Sequence, residues 1–310
     1  MKKKVLILFD LEGCIGIDSL QNLYADYYLY CKECDLVLST LSQIYPDWEL
    51  TVCDCHGNGM VLPSLTYAFP HVHFLAMPWN IDFTANYDYG ILFGFHGHRY
   101  TKDPLAHSFR PEILSVYIGD KLVGEVGIFL NILSYYSIPC IYINGSSYIA
   151  DEISDMKCRK SYTKHIGIYN ENSLLAAAYD ELISDLCQLS AFRLSDLPQY
   201  DNSTIGIRFL NSDYIKNLSE YKTKSKDTIY FENTMDFFAN LRNLCTKIMA
   251  YQNAKSRLIK KIHNYINENE INKPSIAGTR LKFLLNKSAN DILLCELTEL
   301  YDLVKNISAN

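Results

Sequence analysis

The sequence predicts an α/β protein: an open, largely parallel sheet with helices on both faces, joined to a smaller α+β domain and a helical C-terminal extension. Two observations favour this fold. Short apolar runs alternate with helical segments through the first half of the chain, and several of these runs are apolar throughout rather than alternating. Such runs are typical of strands in a parallel sheet, because helices cover both faces of these sheets.

Six apolar runs in the first half of the chain are predicted to be strands. They are residues 5–9, 50–53, 72–76, 91–95, 113–118 and 140–143. Apolar residues at helical spacing from Leu36 to Ile44 predict a helix between the first two runs, and Pro46 ends it. A second helix is predicted at residues 123–136, after a turn at residues 119–120. The repeated order of strand, helix and strand indicates parallel pairing.

A change in pattern after residue 150 divides the chain into three predicted parts. Residues 1–150 form the α/β domain, residues 151–252 the smaller α+β domain, and residues 253–310 the helical extension. The α+β prediction depends on two strands and two helices, at residues 203–209, 228–231, 174–189 and 235–250. The extension is charged and helical, beginning with residues 253–267, and we interpret it as a packing or assembly element.

Charge and hydropathy exclude several classes of partner. The net charge of −6 over 310 residues provides no basic face for nucleic acid or for an anionic membrane. No apolar stretch approaches the roughly 18 residues that a membrane span requires. The apolar run at residues 5–9 is too short for a signal peptide, and no small-residue cleavage site follows it. The sequence therefore predicts a cytoplasmic protein without nucleic-acid or membrane partners.

The ten cysteines are expected to be reduced thiols, because no secretory signal accompanies them. One alternative is a four-thiolate zinc site that joins Cys31 and Cys34 to Cys53 and Cys55. Structural zinc sites usually take such pairs from tight turns, whereas these pairs lie in a predicted helix and at a predicted strand end. Buried unpaired thiols are therefore the favoured interpretation.

Acidic and histidine side chains follow three of the predicted strands. The pairs, each two residues apart, are Asp10 and Glu12, Asp54 and His56, and His96 and His98. Residues two apart on an extended chain point to the same side, so the carboxylates of Asp10 and Glu12 can both face one ion. The carboxyl ends of parallel strands meet at one edge of an open sheet, where binding crevices form. We therefore expect these side chains to converge there.

One histidine or strand-end acid alone is more typical of a surface or capping residue than of a metal ligand. The combination favours a metal, because Glu125 opens the helix after a fifth strand and adds another carboxylate. With Asp10, Glu12, His56 and His96 it forms a mixed oxygen and nitrogen set that suits zinc, with manganese or cobalt as alternatives. Five donors exceed the needs of one tetrahedral zinc ion. With one bridging carboxylate they suit two ions about 3.5–4 Å apart.

Five short motifs occur in the order and at the separations found in the D-aminopeptidase family of self-assembling bacterial zinc peptidases. They are residues 9–13 (FDLEG), 53–56 (CDCH), 94–97 (GFHG), 106–108 (AHS) and 123–127 (VGEVG). Each motif is short, but five in register are specific. The chain therefore resembles this family over roughly residues 4–250. The resemblance implies zinc-dependent hydrolysis of an amide bond.

The resemblance implies two zinc ions per chain, with Asp10 as the bridging carboxylate. Glu12 and His56 would complete one ion, and His96 and Glu125 would complete the other. The expected chemistry agrees with these roles. Two zinc ions bring the pKa of a shared water close to neutrality and so supply a hydroxide that attacks the scissile carbonyl.

Two further residues receive roles that do not involve binding zinc directly. His107 matches the family's catalytic histidine, which is not a metal ligand. A histidine in this position would stabilise the developing oxyanion or protonate the leaving amine. Asp54 would orient His56 or another ligand from outside the ligand set.

Two departures from the family bear on the substrate and on the assembly. The family commonly has glycine followed by acidic residues after the strand at residues 140–143, whereas this chain has Gly145, Ser146 and Ser147. If those acids bind a substrate ammonium, their replacement changes the specificity. The two serines are then candidate substrate contacts. His98 is a further candidate, although an ordinary loop histidine is the favoured interpretation. The helical tail beyond about residue 252 also extends past the family's usual end.

The leading hypothesis is an aminopeptidase that acts on small peptides, including peptides with D-residues, and that forms a homo-oligomer as the resemblance implies. One alternative keeps the metal chemistry but acts on another amide, in a modified peptide or a secondary metabolite. A second alternative is a catalytically silent scaffold, and the intact ligand set and His107 argue against it. A nucleotide-binding protein is disfavoured, because residues 13–16 lack the glycine spacing of a phosphate loop.

Overall fold

A computed structural model describes most of the chain. The described residues are 2–20, 23–57, 62–164, 167, 172–189, 204–211, 213–216, 218, 222–223, 225–234, 236–268 and 297–302. Their helices and strands follow in the order β1 (Lys3–Phe9), α1 (Leu23–Ile44), β2 (Trp48–Asp54), α2 (Leu62–Ala68), β3 (His73–Leu75), β4 (Tyr89–Phe95), β5 (Ile113–Ile118), β6 (Lys121–Val123), α3 (Glu125–Tyr135), β7 (Cys140–Ser146), β8 (Arg159–Lys164), α4 (Asn172–Leu186), β9 (Ile205–Phe209), α5 (Asp213–Lys216), β10 (Lys222–Thr223), β11 (Thr228–Phe231) and α6 (Phe237–Glu268). Residues 297–302 are also helical.

Six strands form one parallel sheet in the order β3-β2-β1-β4-β7-β8. From β1 the chain first adds β2 and β3 on one side, and then crosses over to add β4, β7 and β8 on the other. The two directions of winding meet between β1 and β4. Ligands of open α/β sheets bind beyond the carboxyl ends of the strands at such a switch point. The topology alone therefore marks the ends of β1 and β4 as a candidate site.

Alternating side chains of this sheet enter two hydrophobic clusters, one on each face. On one face, Val5, Ile7 and Phe9 of β1 pack with residues of α1 and α4. On the other face, Leu6 and Leu8 pack with residues of α3. Burying each such side chain contributes roughly 1.5–3 kcal/mol. Helices therefore cover both faces, and the predicted open parallel sheet is confirmed.

A second sheet is antiparallel and has the order β10-β11-β9-β5-β6. It includes the strand predicted at residues 113–118, so the prediction that this strand joins the parallel sheet is wrong. β5 instead pairs with β9, where Val116 lies opposite Ile207. Residues 119–120 lead into β6 rather than directly into the helix, because this two-residue turn folds the chain back as a hairpin. The apolar pattern indicated a strand but carried no information about its partner.

The C-terminal helix α6 is longer than the sequence predicts. The prediction of separate helices at residues 235–250 and 253–267 is wrong, because α6 runs unbroken over Phe237–Glu268. Its buried side chains recur at helical spacing, at Leu241, Leu244, Ile248 and Ile262. α6 crosses the boundary predicted at residue 252, and the three-domain division stays a prediction. Most of the predicted extension beyond α6 lies outside the described residues. Neither α6 nor any other described helix has both the length and the hydrophobicity of a membrane span.

The nine cysteines that the structure describes are all free thiols. Cys34 belongs to the hydrophobic cluster around α1, whereas Cys53 and Cys55 belong to the cluster on the opposite face of the sheet. The sheet therefore separates the two cysteine pairs. Within the described ranges, no cysteine lies in a group of metal-binding side chains. The four-thiolate alternative is wrong for this reason.

Glu33 of α1 is a buried carboxyl group whose ionisation should make stability depend on pH. One of its oxygens accepts a hydrogen bond from the Ile15 amide at 2.8 Å, and the other has no partner among the described residues. Burial raises the pKa of Glu33 from 4.5 to about 7. Between these values the folded protein keeps a proton that the unfolded chain has released. Stability is therefore expected to fall as the pH rises through this range, by about 3 kcal/mol in total, and to stay lower above it.

Replacing Glu33 by glutamine keeps an acceptor for the Ile15 amide and removes this titration. Between pH values of about 5 and about 8.5, we expect wild type to lose about 3 kcal/mol of unfolding free energy that Glu33→Gln does not lose. Urea unfolding at several pH values measures this difference. Parallel stability curves for the two proteins would show that Glu33 has an ordinary pKa.

Candidate metal centre

The switch point between β1 and β4 brings Asp10 and His96 side by side. The Asp10 amide donates to the Phe93 carbonyl of β4 at 2.8 Å, and the Gly13 amide donates to the Gly94 carbonyl at 2.7 Å. Gly94 has a φ of 68°, and a Cβ there would overlap the backbone of Asp10. Only glycine tolerates both conditions without strain. The close approach fixes the two strand ends that carry predicted ligands.

Six side chains form two groups of ligand atoms at these strand ends. One group is Asp10, Glu12 and His56, and the other is His96, His107 and Glu125. Within each group the ligand atoms all lie within 4.8 Å of one another. The first group comes from the ends of β1 and β2. The second comes from the end of β4, the loop before β5 and the start of α3. The structure thus brings the five predicted ligands and His107 together.

Distances between the two groups are only slightly longer than the distances within the second group. His96 Nε2 lies 3.6 Å from Asp10 Oδ2 and 3.4 Å from Glu125 Oε1. His107 Nε2 lies 3.5 Å from Glu125 Oε1 and 3.8 Å from Glu12 Oε1. The ligands of a tetrahedral zinc ion lie about 3.4 Å apart when each is bound at about 2.1 Å. The observed spacings therefore suit atoms that surround metal ions, and Asp10 reaches both groups.

Hydrogen bonds orient the rings of His96 and His107. His96 Nδ1 contacts the Gly97 carbonyl and His107 Nδ1 contacts the Leu105 carbonyl, each at 2.9 Å. A carbonyl oxygen only accepts, so each Nδ1 carries a proton and Nε2 is the ring atom that faces the cluster. The two rings stack with their centroids 4.4 Å apart. Both Nε2 atoms are therefore presented to the cluster of carboxylates.

Three buried carboxylates lie together at this site, and their charges need neighbouring cations. Burial raises the pKa of Asp10, and the charges of Glu12 and Glu125 raise it further. Burial also opposes ionisation of Glu12, but the hydrogen bond with His56, at 2.8 Å, lowers its pKa overall. Burial lowers the pKa of His96, but its contact with Glu125 and the nearby acids raise it to about 9. Protonated His96 therefore balances part of the negative charge, a role that a bound metal ion would take over.

Three buried polar atoms of the site have no hydrogen-bond partner among the described residues. They are Asp10 Oδ2, Glu12 Oε2 and His96 Nε2. Buried polar atoms are almost always paired, because leaving one unpaired costs about 1–3 kcal/mol. All three are electron-pair donors, and all three belong to the ligand groups. The residues therefore fit a divalent cation that prefers nitrogen and oxygen ligands, as zinc does.

A cavity of about 490 Å³ opens onto these groups. Its wall consists of Asp10, Glu12, Leu20, Cys55, His56, Pro104, Leu105, Ala106, His107, Phe109, Pro111 and Glu125. Beyond the acids and histidines, the wall is mostly apolar. A pocket with apolar walls and a few convergent polar groups is typical of a small-molecule site.

A buried ion pair that the sequence did not indicate links the loops around the site. Lys164 Nζ lies 3.2 Å from Asp103 Oδ1 and donates to the Glu12 carbonyl at 2.5 Å. Asp103 also accepts hydrogen bonds from the amides of Gly97 and Leu105, at 3.1 and 3.2 Å. These contacts tie the loop after β1 and the loop between β4 and β5 to the end of β8.

Glu152, which the sequence also did not indicate, holds the start of α3. Its Oε1 accepts hydrogen bonds from the amides of Gly124 and Gly127, at 2.7 and 2.8 Å. The first N–H groups of a helix have no partner within the helix and need such an acceptor. The Phe109 amide donates to Glu125 Oε1 at 2.7 Å. Backbone and side chain of Glu125 are thus both held in place.

Asp54 lies next to the site, where it was predicted to orient a ligand. Its Oδ1 accepts hydrogen bonds from the Gly57 amide at 3.0 Å and from Tyr30 Oη at 3.3 Å. The first bond closes the turn that contains His56. The arrangement is compatible with an orienting role through the backbone, and that role stays a prediction.

The three candidate substrate contacts are not among the residues that form the cavity wall. His98 Nδ1 accepts a hydrogen bond from the Tyr100 amide at 3.2 Å, and burial lowers the pKa of His98. Ser146 Oγ accepts a hydrogen bond from the Tyr148 amide at 3.3 Å, and Ser147 is exposed. Substrate contact by these residues stays a prediction.

Comparison with known proteins connects this site to a family. A family model described as D-aminopeptidase matches residues 3–185, which contain both ligand groups. The solved structure of the Zn-dependent D-aminopeptidase DppA from Bacillus subtilis, a self-compartmentalizing protease, is similar at a TM-score of 0.66 and 16% sequence identity. That match covers 79% of this chain and 98% of the other, and it shows a shared fold. No curated protein sequence matches the chain. Because the family model covers more than half of the 310 residues, the chain belongs to the D-aminopeptidase family.

Proposed function

We propose that this protein is a zinc-dependent aminopeptidase that hydrolyses small peptides, including peptides with D-residues. The observation that carries the proposal is the pair of ligand groups that meet at the 490 Å³ cavity. Membership of the family supports peptide hydrolysis, and the Bacillus subtilis protein of the same fold is described as Zn-dependent. The three buried atoms without partners among the described residues support a bound cation.

In this proposal Asp10, Glu12 and His56 hold one zinc ion, and His96 and Glu125 hold the other, with Asp10 shared. The 3.6 Å between Asp10 Oδ2 and His96 Nε2 supports the shared role. Bound zinc supplies a Lewis acid for the scissile carbonyl and lowers the pKa of a water. The chain itself holds three carboxylates and two imidazoles in one buried cluster. That cluster sets where the substrate carbonyl approaches.

His107 is the proposed catalytic histidine and is not one of the proposed zinc ligands. The contact of its Nδ1 with the Leu105 carbonyl fixes the ring, and the side chain lines the cavity. Its Nε2 lies 3.5 Å from Glu125 Oε1, close enough to the ligands to reach an amide bound beside them. From there the ring can stabilise charge on the carbonyl oxygen or pass a proton to the leaving amine.

A second candidate function is the same hydrolysis on an amide that has no free amine beside it. One observation favours it: the end of β7 carries Ser146 and Ser147 and no acidic side chain that would bind a substrate ammonium. The two functions differ in a single requirement. An aminopeptidase needs the free amine of its substrate, whereas an amidase of the second kind does not.

Hydrolysis of matched free-amine and N-acetylated dipeptides by the zinc-loaded protein tests the proposal. We expect about two zinc ions per chain and a kcat/KM at least about 100-fold higher for the free-amine peptide. Equal rates for the two peptides would favour the second candidate. A protein that binds no zinc and cleaves neither peptide would contradict both candidates. Dipeptides that differ only in the chirality of the first residue then define the stereochemistry.

We also propose that the protein works in the cytoplasm as an assembly of identical chains. The Bacillus subtilis protein is described as a self-compartmentalizing protease, and the fold match covers 98% of it. Light scattering of the purified protein measures the mass of the particle. We expect a multiple of the 35.6 kDa chain, and the mass of one chain would contradict the assembly.

A further inference from the structure

A second cavity, of about 430 Å³, adjoins the cavity of the metal centre. It is lined by Arg99, Pro111, Glu112, Leu210, Asn211, Tyr214 and Gln252. Pro111 lines both cavities, so a molecule that extends past Pro111 enters the second one. The function proposed above makes no use of this second cavity.

Arg99 is one of two charged residues that line the second cavity. Glu112, the other charged group of its wall, is paired with Arg110, whose Nε and Nη2 lie 3.1 and 3.3 Å from the two carboxylate oxygens. Arg99 forms no ion pair with any residue that the structure describes. Its Nη1 donates to the Pro111 carbonyl at 2.8 Å. That bond holds the half-buried guanidinium at the junction of the two cavities.

The chemistry of a guanidinium defines the ligand that such a cavity takes. Arginine has five N–H donors in a rigid fork, and one bond to a carbonyl leaves enough donors for a carboxylate held by two parallel bonds. The chain as a whole carries a net charge of −6, whereas this guanidinium brings positive charge next to the metal centre and forms no ion pair with the described residues. A peptide residue spans about 3.3–3.6 Å, and an extended tripeptide therefore reaches roughly 10 Å from its first residue.

We propose that the second cavity binds the terminal carboxylate of a peptide substrate through Arg99. This inference rests on the proposed peptidase function, because it concerns the far end of the same substrate. The scissile bond lies at the metal centre, and the part of the peptide beyond it passes Pro111. Peptides of three or more residues are then long enough to place their carboxylate against the guanidinium.

The wall of this subsite also gives a role to the C-terminal half of the chain. Leu210, Asn211, Tyr214 and Gln252 all lie beyond the residues that the family model matches. Gln252 Nε2 donates to Tyr214 Oη at 2.6 Å and so ties α6 to α5 in the wall. In this proposal Arg99 binds the carboxylate from within the residues that the family model matches, and the rest of the wall comes mostly from residues beyond them.

Two tripeptides that differ only in a free carboxylate or an amide at the C-terminus test the subsite. Wild type is expected to hydrolyse the tripeptide with the free carboxylate with a kcat/KM about ten-fold higher than that for the tripeptide amide. The difference should lie in a lower KM, because the amide cannot form the charge-assisted bond with Arg99.

Three variants test whether this preference depends on Arg99. Arg99→Gln keeps an N–H donor but should hydrolyse both peptides equally. Arg99→Lys keeps the charge and should retain part of the preference. Arg242→Gln removes the same charge from an exposed position outside both cavities and should behave as wild type.

The outcomes separate the subsite from the peptidase function. A wild type that cleaves both tripeptides without preference, or an Arg99→Gln variant that keeps the preference, overturns the subsite and leaves the peptidase function intact. If wild type cleaves neither peptide, the proposed function fails. Calorimetry of the same two peptides with wild type and with Arg99→Gln then still tests the subsite. The peptide with the free carboxylate should bind about ten-fold more tightly than the amide to wild type, and equally tightly to Arg99→Gln.

Discussion

Replacing Asp10 by asparagine is expected to abolish zinc binding and hydrolysis while leaving the metal-free fold intact. Asparagine has the shape of aspartate, and burial together with Glu12 and Glu125 already raises the pKa of Asp10. Removing one of three adjacent charges therefore costs the metal-free protein little. The same change removes the carboxylate that reaches both ligand groups, 3.6 Å from His96 Nε2. Loss of a hydrogen bond to a metal ligand costs up to about 100-fold in metal affinity. Because Asp10 is itself a proposed ligand, its replacement should lower zinc affinity by more than this.

Unfolding with and without zinc measures this effect. At a zinc concentration about 100 times the Kd, wild type should gain about 2.7 kcal/mol of unfolding free energy. Asp10→Asn should gain almost none, and elemental analysis should find its zinc content reduced. A variant that binds two zinc ions with wild-type stabilisation would reject the bridging role of Asp10.

His107→Ala provides the matched comparison at the same cavity. In our proposal it removes a catalytic group but no ligand, so zinc content and zinc-dependent stabilisation should remain those of wild type. Its kcat should fall by about 10²–10⁴-fold, the usual contribution of a general acid or base. Loss of one zinc ion in this variant would instead make His107 a ligand beside His96 and Glu125, which its 3.5 Å distance to Glu125 Oε1 would also allow.

The strand ends of this site could be predicted because two local signals coincide in the sequence. The last five residues of β1 and of β2 and the last six of β4 are buried, so these stretches are mostly apolar and each ends at a polar residue. Asp10 and His96 follow directly, and polar residues at the ends of buried parallel strands meet at one edge of the sheet. The convergence of the ligand groups follows from this geometry.

Other parts of the structure depend on contacts between distant segments, which local patterns do not contain. β8 was not predicted, because residues 159–164 are polar and carry no apolar run. The position of β5 in the second sheet depends on pairing with β9, about 90 residues later in the chain. Asp103 and Glu152 stand outside any motif, and only the fold shows that they hold the loops and the helix of the site.

Replacing Lys164 by methionine is expected to lower the free energy of unfolding by about 3–5 kcal/mol. Methionine fills the volume of the lysine stem but removes the ammonium, so the Asp103 carboxylate stays buried without its counter-charge. The two side chains are 1% and 0% exposed, whereas a surface pair contributes only about 0–1 kcal/mol. Urea unfolding of the zinc-free protein measures the loss. A double variant that also carries Asp103→Asn should recover part of the stability, because it removes the stranded charge.

The same substitution should also weaken zinc binding, because Lys164 donates to the Glu12 carbonyl and holds the loops of both ligand groups through Asp103. Loss of such outer support typically costs about 10- to 100-fold in metal affinity. Lys160→Met is the matched control: Lys160 lies on the same strand, and its Nζ donates to the Ser154 carbonyl at the surface. We expect a change within about 0.5 kcal/mol there and no change in zinc affinity. If the two lysine variants lose equal stability and bind zinc equally well, the buried pair is not what holds the site together.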